Sequence, residues 1–411
     1  MAGGTALAQV LGVIFYPIIT RLYNPEEFGV YTLFAAFLGM IYIVGALKYE
    51  NSIPIADDDE KAINALSLSF LILLLITLLV TIILWGVGDT ILNMLDYERL
   101  LPFKYFIPLG VILTGLYTIL MQWGFRKKGF KKISMTKITR ALGLNLSQVG
   151  FGLLNFGAIG LISGKIIGEG SGNTTLGLSL FSKDKYLFKS ISFTKMVWVA
   201  KRYRKFPILS APAQFFNKAG IELPVFFITA MYGEAAVGLY GLAHMIVSLP
   251  MTLIGTSVSD VFYAEAASVG RTSPEKLKTL SFSLLKKLVL IGVIPLAILL
   301  LFGPLLFGFV FGEEWTESGV FAQIIAFLVF ARFIFTPISR VYYVFERQGA
   351  SLMMNVMRVV LVVLCFVGAE YFDFTVYYAI ATYALGMIIV YLTTYLYAQR
   401  IIRQEILRRE V

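Results

Sequence analysis

Long apolar runs separated by short polar stretches organise this chain. Reading for runs of about 20 mostly apolar residues, the length that crosses a hydrocarbon core, gives twelve: roughly 2–20, 28–47, 64–85, 105–123, 138–156, 158–180, 206–231, 236–256, 284–303, 319–337, 350–369 and 375–397. Each is predicted to be a helix, because backbone in hydrocarbon must satisfy its own hydrogen bonds. The fifth and sixth runs are the most polar, interrupted by Asn145, Gln148, Asn155, Lys165 and Glu169. The first run begins almost at Met1 without a basic lead, so it reads as a first helix rather than a cleaved signal. The usual lead-in before such a helix is missing, which reads as a truncated or late-start N-terminus.

The distribution of basic residues tests this register. With the N-terminus in the cytoplasm, the loops after the fourth, sixth and eighth spans and the C-terminal tail all fall inside. They carry the basic clusters, among them Arg126 to Lys132, Lys183 to Lys205, Lys276 to Lys287 and Arg400 to Arg409. The opposite loops hold acids such as Glu26, Glu27, Asp89, Glu313, Glu314 and Glu317. An error of one helix would scramble that segregation, which is the one orientation in membranes follows. Both termini are therefore expected in the cytoplasm. The longest loop, 181–205, is basic with interleaved aromatics. Its end, Phe193 to Phe206, reads either as an amphipathic helix on the inner membrane face or as a solvated linker.

Composition agrees with a lipid solvent. Of 411 residues, 58% are apolar and 15% charged, and the mean hydropathy is +0.79; a soluble domain carries about a quarter charged residues. The net charge of +10 would suggest nucleic acid in a soluble chain, but here it lies in the loops, so membrane lipids and not nucleic acid are the expected partner. The single cysteine, Cys365, sits in an apolar run and cannot form an internal disulfide.

An internal repeat organises the spans. Ile19-Thr20-Arg21-Leu22-Tyr23-Asn24 runs on to Phe28-Gly29-Val30-Tyr31-Thr32-Leu33, and 209 residues later Ile228-Thr229-Ala230-Met231-Tyr232-Gly233 runs on to Val237-Gly238-Leu239-Tyr240-Gly241-Leu242. Each copy joins an odd span to the next through a short outer loop. With six spans per half, the copies share one orientation, a plan transporters use around a site near the bilayer midplane. The expected fold is an all-α integral membrane protein of about 12 transmembrane helices in two parallel-related six-helix bundles around a central cavity. The bundles are 1–180 and 206–411, joined by the basic cytoplasmic linker 181–205.

Ionisable groups inside spans are costly and therefore informative. Those at mid-span are Lys165 and Glu169 in span six, Lys218 and Glu222 in span seven, His244 in span eight and Arg358 in span eleven. Lys48, Arg140, Arg332 and Arg340 lie nearer the inner surface, where lysine and arginine also snorkel to headgroups. Lys218 and Glu222 share a helix face, with Gln214 one turn before; the repeat offset pairs Lys218 with Gln9 of span one. Two readings stand for the Lys218–Glu222 pair: groups lining a cavity, or an ion pair that neutralises itself. The Lys165–Glu169 pair poses the same choice beside Gly160, Gly164, Gly168 and Gly172, a small-residue stripe for close helix packing. His244 reads as a proton relay or as an interhelical hydrogen-bonding group.

The motifs Gly4-Thr5-Ala6, Ala8-Gln9, Pro17, Thr20-Arg21-Leu22-Tyr23, Pro25-Glu26-Glu27-Phe28-Gly29 and Tyr49-Glu50 resemble the opening of bacterial polysaccharide-biosynthesis flippases. Tyr203-Arg204-Lys205-Phe206-Pro207, Leu223-Pro224, Val237-Gly238-Leu239-Tyr240, Leu249-Pro250 and Ile254-Gly255 extend the resemblance through the second half. These are the Wzx-type O-antigen and capsule transporters of the multidrug/oligosaccharidyl-lipid/polysaccharide exporter superfamily. The resemblance implies a flippase for undecaprenyl-pyrophosphate-linked oligosaccharide units, working from the inner to the outer leaflet of the bacterial plasma membrane by alternating access. It implies the polysaccharide polymerase machinery as a candidate partner. It carries no binding residues, since the motifs sit at helix ends and tight loops.

Site assignments therefore rest on physical argument. Lys218, Arg358, Gln9, Gln214, Arg332, Arg340, Lys48 and Arg140 are the expected substrate-binding set, because an anionic pyrophosphate calls for basic donors. Glu222, His244, Lys165 and Glu169 are the expected ion-coupling set. There is no His/Cys cluster for a metal and no phosphate-binding glycine loop, and no large extramembrane loop to carry catalytic groups, so no cofactor, metal or enzymatic activity is expected. The alternative is an ion-coupled exporter of small molecules of the multidrug and toxin type, which would offer unpaired acids to organic cations.

Overall fold

The computed structural model describes residues 2–270, 273–345 and 347–410. Helices run in the order α1 (Ala2–Leu22), α2 (Pro25–Tyr42), α3 (Asp59–Gly86), α4 (Gly88–Met94), α5 (Phe106–Arg126), α6 (Phe130–Leu153), α7 (Ala158–Lys183), α8 (Phe193–Arg202), α9 (Ala211–Val247), α10 (Thr256–Val269), α11 (Pro274–Phe311), α12 (Thr316–Phe335), α13 (Val341–Val344), α14 (Gln348–Tyr371) and α15 (Val376–Glu410). Among the described residues no strand occurs.

Each predicted span falls mainly on helix, although α2 ends at Tyr42 and α6 at Leu153, a few residues short of the predicted ends. Among the described residues, eight helices are long and apolar enough to cross a membrane. The charged or amide-bearing α2, α6 and α7, together with the second span within α9, complete the twelve. α9 is two helices broken at Gly233, whose φ of 82° and ψ of 179° are open to glycine and strained for other residues; this is the tight link predicted between spans seven and eight. Several helices outrun their apolar cores. α6 starts at Phe130, α11 at Pro274, and α15 continues to Glu410. Hydropathy reports only the length in lipid, whereas a helix continues into water with its lysines and arginines solvated.

In most spans burial falls as hydropathy rises, as expected where hydrocarbon is the solvent; α1, at a mean hydropathy of 1.5 and 17% buried, is the exception. The most apolar windows, in α3 (mean hydropathy 2.9) and α11 (2.7), are 28% and 17% buried, while that of α5 (1.6) is 61% buried. Leu75, Leu78 and Ile82 on α3 and Leu290, Leu301 and Phe309 on α11 are exposed. Lipid accepts these side chains at no cost, so the apolar surplus clothes the outside.

The chain divides into two compact units, Met1–Gly238 and Leu239–Val411. In the first, α6 packs along α7, α1 against α6, and α5 against α3 and α7. The glycine stripe of α7 makes this close approach possible: a Cβ on Gly164 would meet Gln148, on Gly168 Leu144 and the Arg140 carbonyl, and on Gly172 the Tyr117 ring. The polar groups that lower the hydropathy of α6 and α7 face this seam. Gln148 donates to the Leu161 carbonyl at 3.0 Å, and Tyr23 donates to the Gln148 carbonyl at 2.7 Å. In the second unit, α11 and α15 pack against α12, and a cluster around Phe262, Leu277, Ile338, Tyr342 and Ile402 is buried.

The basic segment after α7 folds. α8 turns Val199 and, just beyond its end, Tyr203 inward and packs against α3. Asn64 donates to the Ser190 carbonyl at 3.1 Å and accepts from the Ser192 N–H at 2.9 Å, while Tyr49 donates to the Ala200 carbonyl at 3.1 Å. Phe193 and Trp198 stay exposed with Lys195, Lys201 and Arg202. Asp59 at the start of α3 is gripped by Lys127 at 2.6 Å and Arg126 at 2.8 Å. The bond from Lys127, then that from Arg126, holds its carboxyl below the ordinary carboxylate range.

Candidate functional site

The sequence-predicted site residues gather into separate polar clusters, each inside one unit. In the first unit, Glu169 on α7 is 1% exposed and pairs with Arg140 of α6 and, at 3.2 Å, with Lys165 one turn before it. One carboxylate oxygen serves both bases; among the described residues the other, Oε2, is buried without a hydrogen-bond partner. Arg140 also stacks over the Tyr117 ring of α5, 4.7 Å from its centroid. Two bases against one acid leave this cluster with a net positive charge.

Lys218 and Glu222 of α9 pair with each other. The pair rests on Gly39 of α2, where a Cβ would stand 2.8 Å from the Lys218 Cε. Of the two readings left open by the sequence, the ion pair exists, and both partners remain only half-buried. Gln214, one turn earlier, is also half-buried. On α1, Gln9 has a buried side-chain oxygen that accepts no hydrogen bond among the described residues. One turn before it, Thr5 receives the Lys137 ammonium of α6 at 2.8 Å.

Lys48 is buried, 5% exposed, and faces Glu50 at 3.5 Å. It follows Leu47 in a left-handed backbone conformation, φ 63° after φ 49°, which costs energy at residues other than glycine. Burial pushes the Glu50 carboxyl above its ordinary value, against the lowering pull of Lys48.

The second unit carries an arginine–tyrosine cluster. Arg358 of α14 lies over the Tyr391 ring of α15 at 5.2 Å. Arg332 of α12 and Arg358 both act electrostatically on Tyr383 of α15, beside which Tyr240 also lies. Among the described residues Arg332 makes no ion pair or side-chain hydrogen bond. His244 stacks on Tyr240, ring centroids 5.8 Å apart. Arg340, nearer the α12 end, donates to Ser259 at 3.0 Å and faces Asp260 at 3.5 Å.

The tyrosines were not selected from the sequence, although they complete these clusters. Tyrosine is frequent here, 22 residues in the chain, and its spacing does not mark which ring meets a cation. Gly39 left no signal either, since its role appears only once α2 meets α9.

The fold is shared with known transporters. A multidrug resistance transporter of the MATE family, MOP superfamily, in an inward-facing conformation aligns with TM-score 0.77 at 15% identity, over 97% of this chain and 95% of its own. The lipid II flippase MurJ in an inward closed conformation aligns with TM-score 0.70 at 15% identity, over 95% of this chain and 85% of its own. A MOP superfamily transporter from Pyrococcus furiosus, distinguished by a reversed polarity of its binding pocket, aligns with TM-score 0.66 at 14% identity, over 98% and 95% of the two chains. No curated protein matches the chain by sequence. The model of the family described as polysaccharide biosynthesis protein matches residues 18–320. The chain is therefore a multi-pass membrane protein of the polysaccharide biosynthesis protein family, with the fold of the MOP-superfamily transporters.

Proposed function

We propose that the protein is a flippase that carries polyprenyl-pyrophosphate-linked oligosaccharide units from the cytoplasmic to the outer leaflet of the bacterial plasma membrane by alternating access. The observation that carries this reading is the sign of the charge inside the spans. Arg140, Lys165 and Lys218 outnumber Glu169 and Glu222 in the first unit, and Arg332 and Arg358 stand among tyrosines in the second. Arginine forks match phosphate oxygens, and tyrosine faces suit both cations and sugars. The glycan needs a hydrated path, while the tail can stay in lipid. Ion coupling is assigned to Glu222, Glu169, Lys165 and His244, of which Lys165 pairs with Glu169. The alternative, export of small molecules, is favoured by the close alignment with a MATE-family transporter. An organic cation would find the sign of these clusters unfavourable.

Deleting the gene should trap lipid-linked oligosaccharide on the inner leaflet. Arg332→Ala and Arg358→Ala should each cut surface glycan by roughly tenfold or more, the loss of one charge-assisted bond of about 1.5–3 kcal/mol. Membrane levels should be unchanged and lysine replacements should rescue part of the loss. Normal export by both alanine variants would refute the electrostatic reading. Normal glycan in the deletion strain, with lost drug efflux, would favour the small-molecule exporter. The orientation is tested separately, in a Cys365→Ser background. Glu314→Cys should label from outside intact cells and Lys185→Cys should not; the reverse pattern overturns the assignment of both termini to the cytoplasm.

A further inference from the structure

The second unit contains an apolar cavity of about 310 Å³ between the end of α9, the π-helical turn Met251–Gly255, α11 and α12. Its wall includes Pro250, Ile254, Ile291, Pro295, Leu299 and Phe330, and no charged or amide side chain lines it. It is open rather than sealed: Ile254, Ile291 and Ile294 on its rim are exposed. A second cavity of about 300 Å³ lies further along α11, between it and α10, and its lining differs in kind. Lys287, Ser257, Ser283 and Glu265 line it with Val261 and Leu284. The two share a floor, because the buried cluster of Met251, Leu288 and Phe333 gathers Phe330 from the upper cavity and Val258 and Leu284 from the lower.

The result is a groove with a polarity gradient. From Lys287 to Leu299 the rise along α11 is about 18 Å, a little more than half of the roughly 30 Å hydrocarbon core. Lys287 falls where the sequence puts the inner end of the ninth span, and Lys286 beside it is also exposed. The groove therefore offers an ammonium and hydroxyls at headgroup depth and a dry, branched wall from there to mid-membrane. Glu265 opposes one lysine, and Lys286 restores the positive excess at the mouth.

We propose that this groove binds the lipid anchor of the substrate, an anionic polyprenyl phosphate or pyrophosphate, with phosphate at Lys287 and isoprenoid chain along Ile291, Pro295 and Phe330. The inference rests on the flippase reading and adds the place where the tail is held while the head is translocated. A wide cavity walled by proline, isoleucine and phenylalanine suits a methyl-branched chain. The cationic mouth suits an anionic lipid over a zwitterionic one.

The test uses the purified full-length protein in nanodiscs and a diazirine-bearing polyprenyl phosphate. Mass-spectrometric mapping should place the adduct within 247–258, 287–299 or 326–333. Undecaprenyl phosphate should compete, and phosphatidylglycerol or phosphatidylethanolamine at equal concentration should not. Ile291→Trp, which fills the groove from an exposed position, and Lys287→Gln should each lower labelling at least fivefold, while Leu301→Trp on the same helix outside the groove should not. Adducts elsewhere, equal competition by phospholipid, or unchanged labelling of both groove variants would overturn the proposal. In each case intact glycan export by the parent protein would leave the flippase reading standing, whereas loss of that reading would show in the deletion strain.

Discussion

Replacing Gly29 or Gly238 by alanine should destabilise the protein measurably, and replacement by leucine should abolish a folded first unit. A Cβ on Gly29 would fall onto the backbone carbonyl of Glu234, and one on Gly238 onto that of Pro25. Overpacking against a flexible side chain costs about 1–3 kcal/mol; here the obstacle is main chain, so whole turns of α2 and α9 must shift. The contact is reciprocal under the repeat. Gly29 corresponds to Gly238 and Pro25 to Glu234 at the same 209-residue offset, so each copy's glycine meets the other's first-turn backbone, as in a two-fold interface. Arg99 spans the same place, pairing with Glu26 and lying 3.8 Å from Glu234; as an exposed pair it adds little. Thermal unfolding of the purified variants checks this. The double alanine variant should lose less than the sum of the singles, because both remove one contact. Gly170→Ala and Gly368→Ala, where nothing lies within 4 Å of the added carbon, should be neutral or stabilising by up to about 1 kcal/mol through helix propensity. Equal effects at all four positions would refute the contact.

Glu169→Gln should be the most destabilising single change among the intramembrane charges. Breaking a buried ion pair from one side costs about 3–5 kcal/mol, since the remaining charge stays buried and uncompensated. Here one carboxylate holds two bases, Arg140 and Lys165, so its loss leaves two like charges side by side. Removing Arg140 instead leaves Glu169 paired with Lys165, and the loss should be smaller. Glu169→Gln combined with Lys165→Met should recover stability relative to Glu169→Gln alone. Melting temperatures in one detergent, together with membrane expression levels, give the order. An Arg140→Ala variant less stable than Glu169→Gln would contradict this hierarchy.

Both predictions trace back to features the sequence exposes to different degrees. The twelve spans were legible because lipid demands a long apolar run wherever a helix meets it, which is why α3 and α11 stand out most although they are little buried, at 28% and 17%. α6 and α7 were the hardest spans to read for the opposite reason. Asn145, Gln148 and Glu169 turn toward neighbouring helices, and a hydropathy window cannot tell a polar group in a seam from one in a loop. The repeat was legible as recurring letters at a fixed offset. That its two glycines touch each other was not.

The charged clusters divide the same way. Lys218 with Glu222 and Lys165 with Glu169 could be paired from helical periodicity alone, because residues four apart share a face whatever the tertiary fold. Arg140 with Glu169, Arg358 with Tyr391 and the docking of α8 on α3 join residues from different helices, so no local pattern encodes them. Lys48 shows the limit most clearly: its position near the inner surface suggested a snorkelling cation, whereas the left-handed turn at Leu47 and Lys48 folds it inward onto Glu50. The sequence by itself determined which segments enter lipid, their alternating charge and the duplication, since each depends on local transfer free energy or on chain periodicity. Tertiary structure alone decided which charge meets which ring or carboxylate and which backbones touch, because those depend on helix–helix register, which is set by the packing of many small contacts at once.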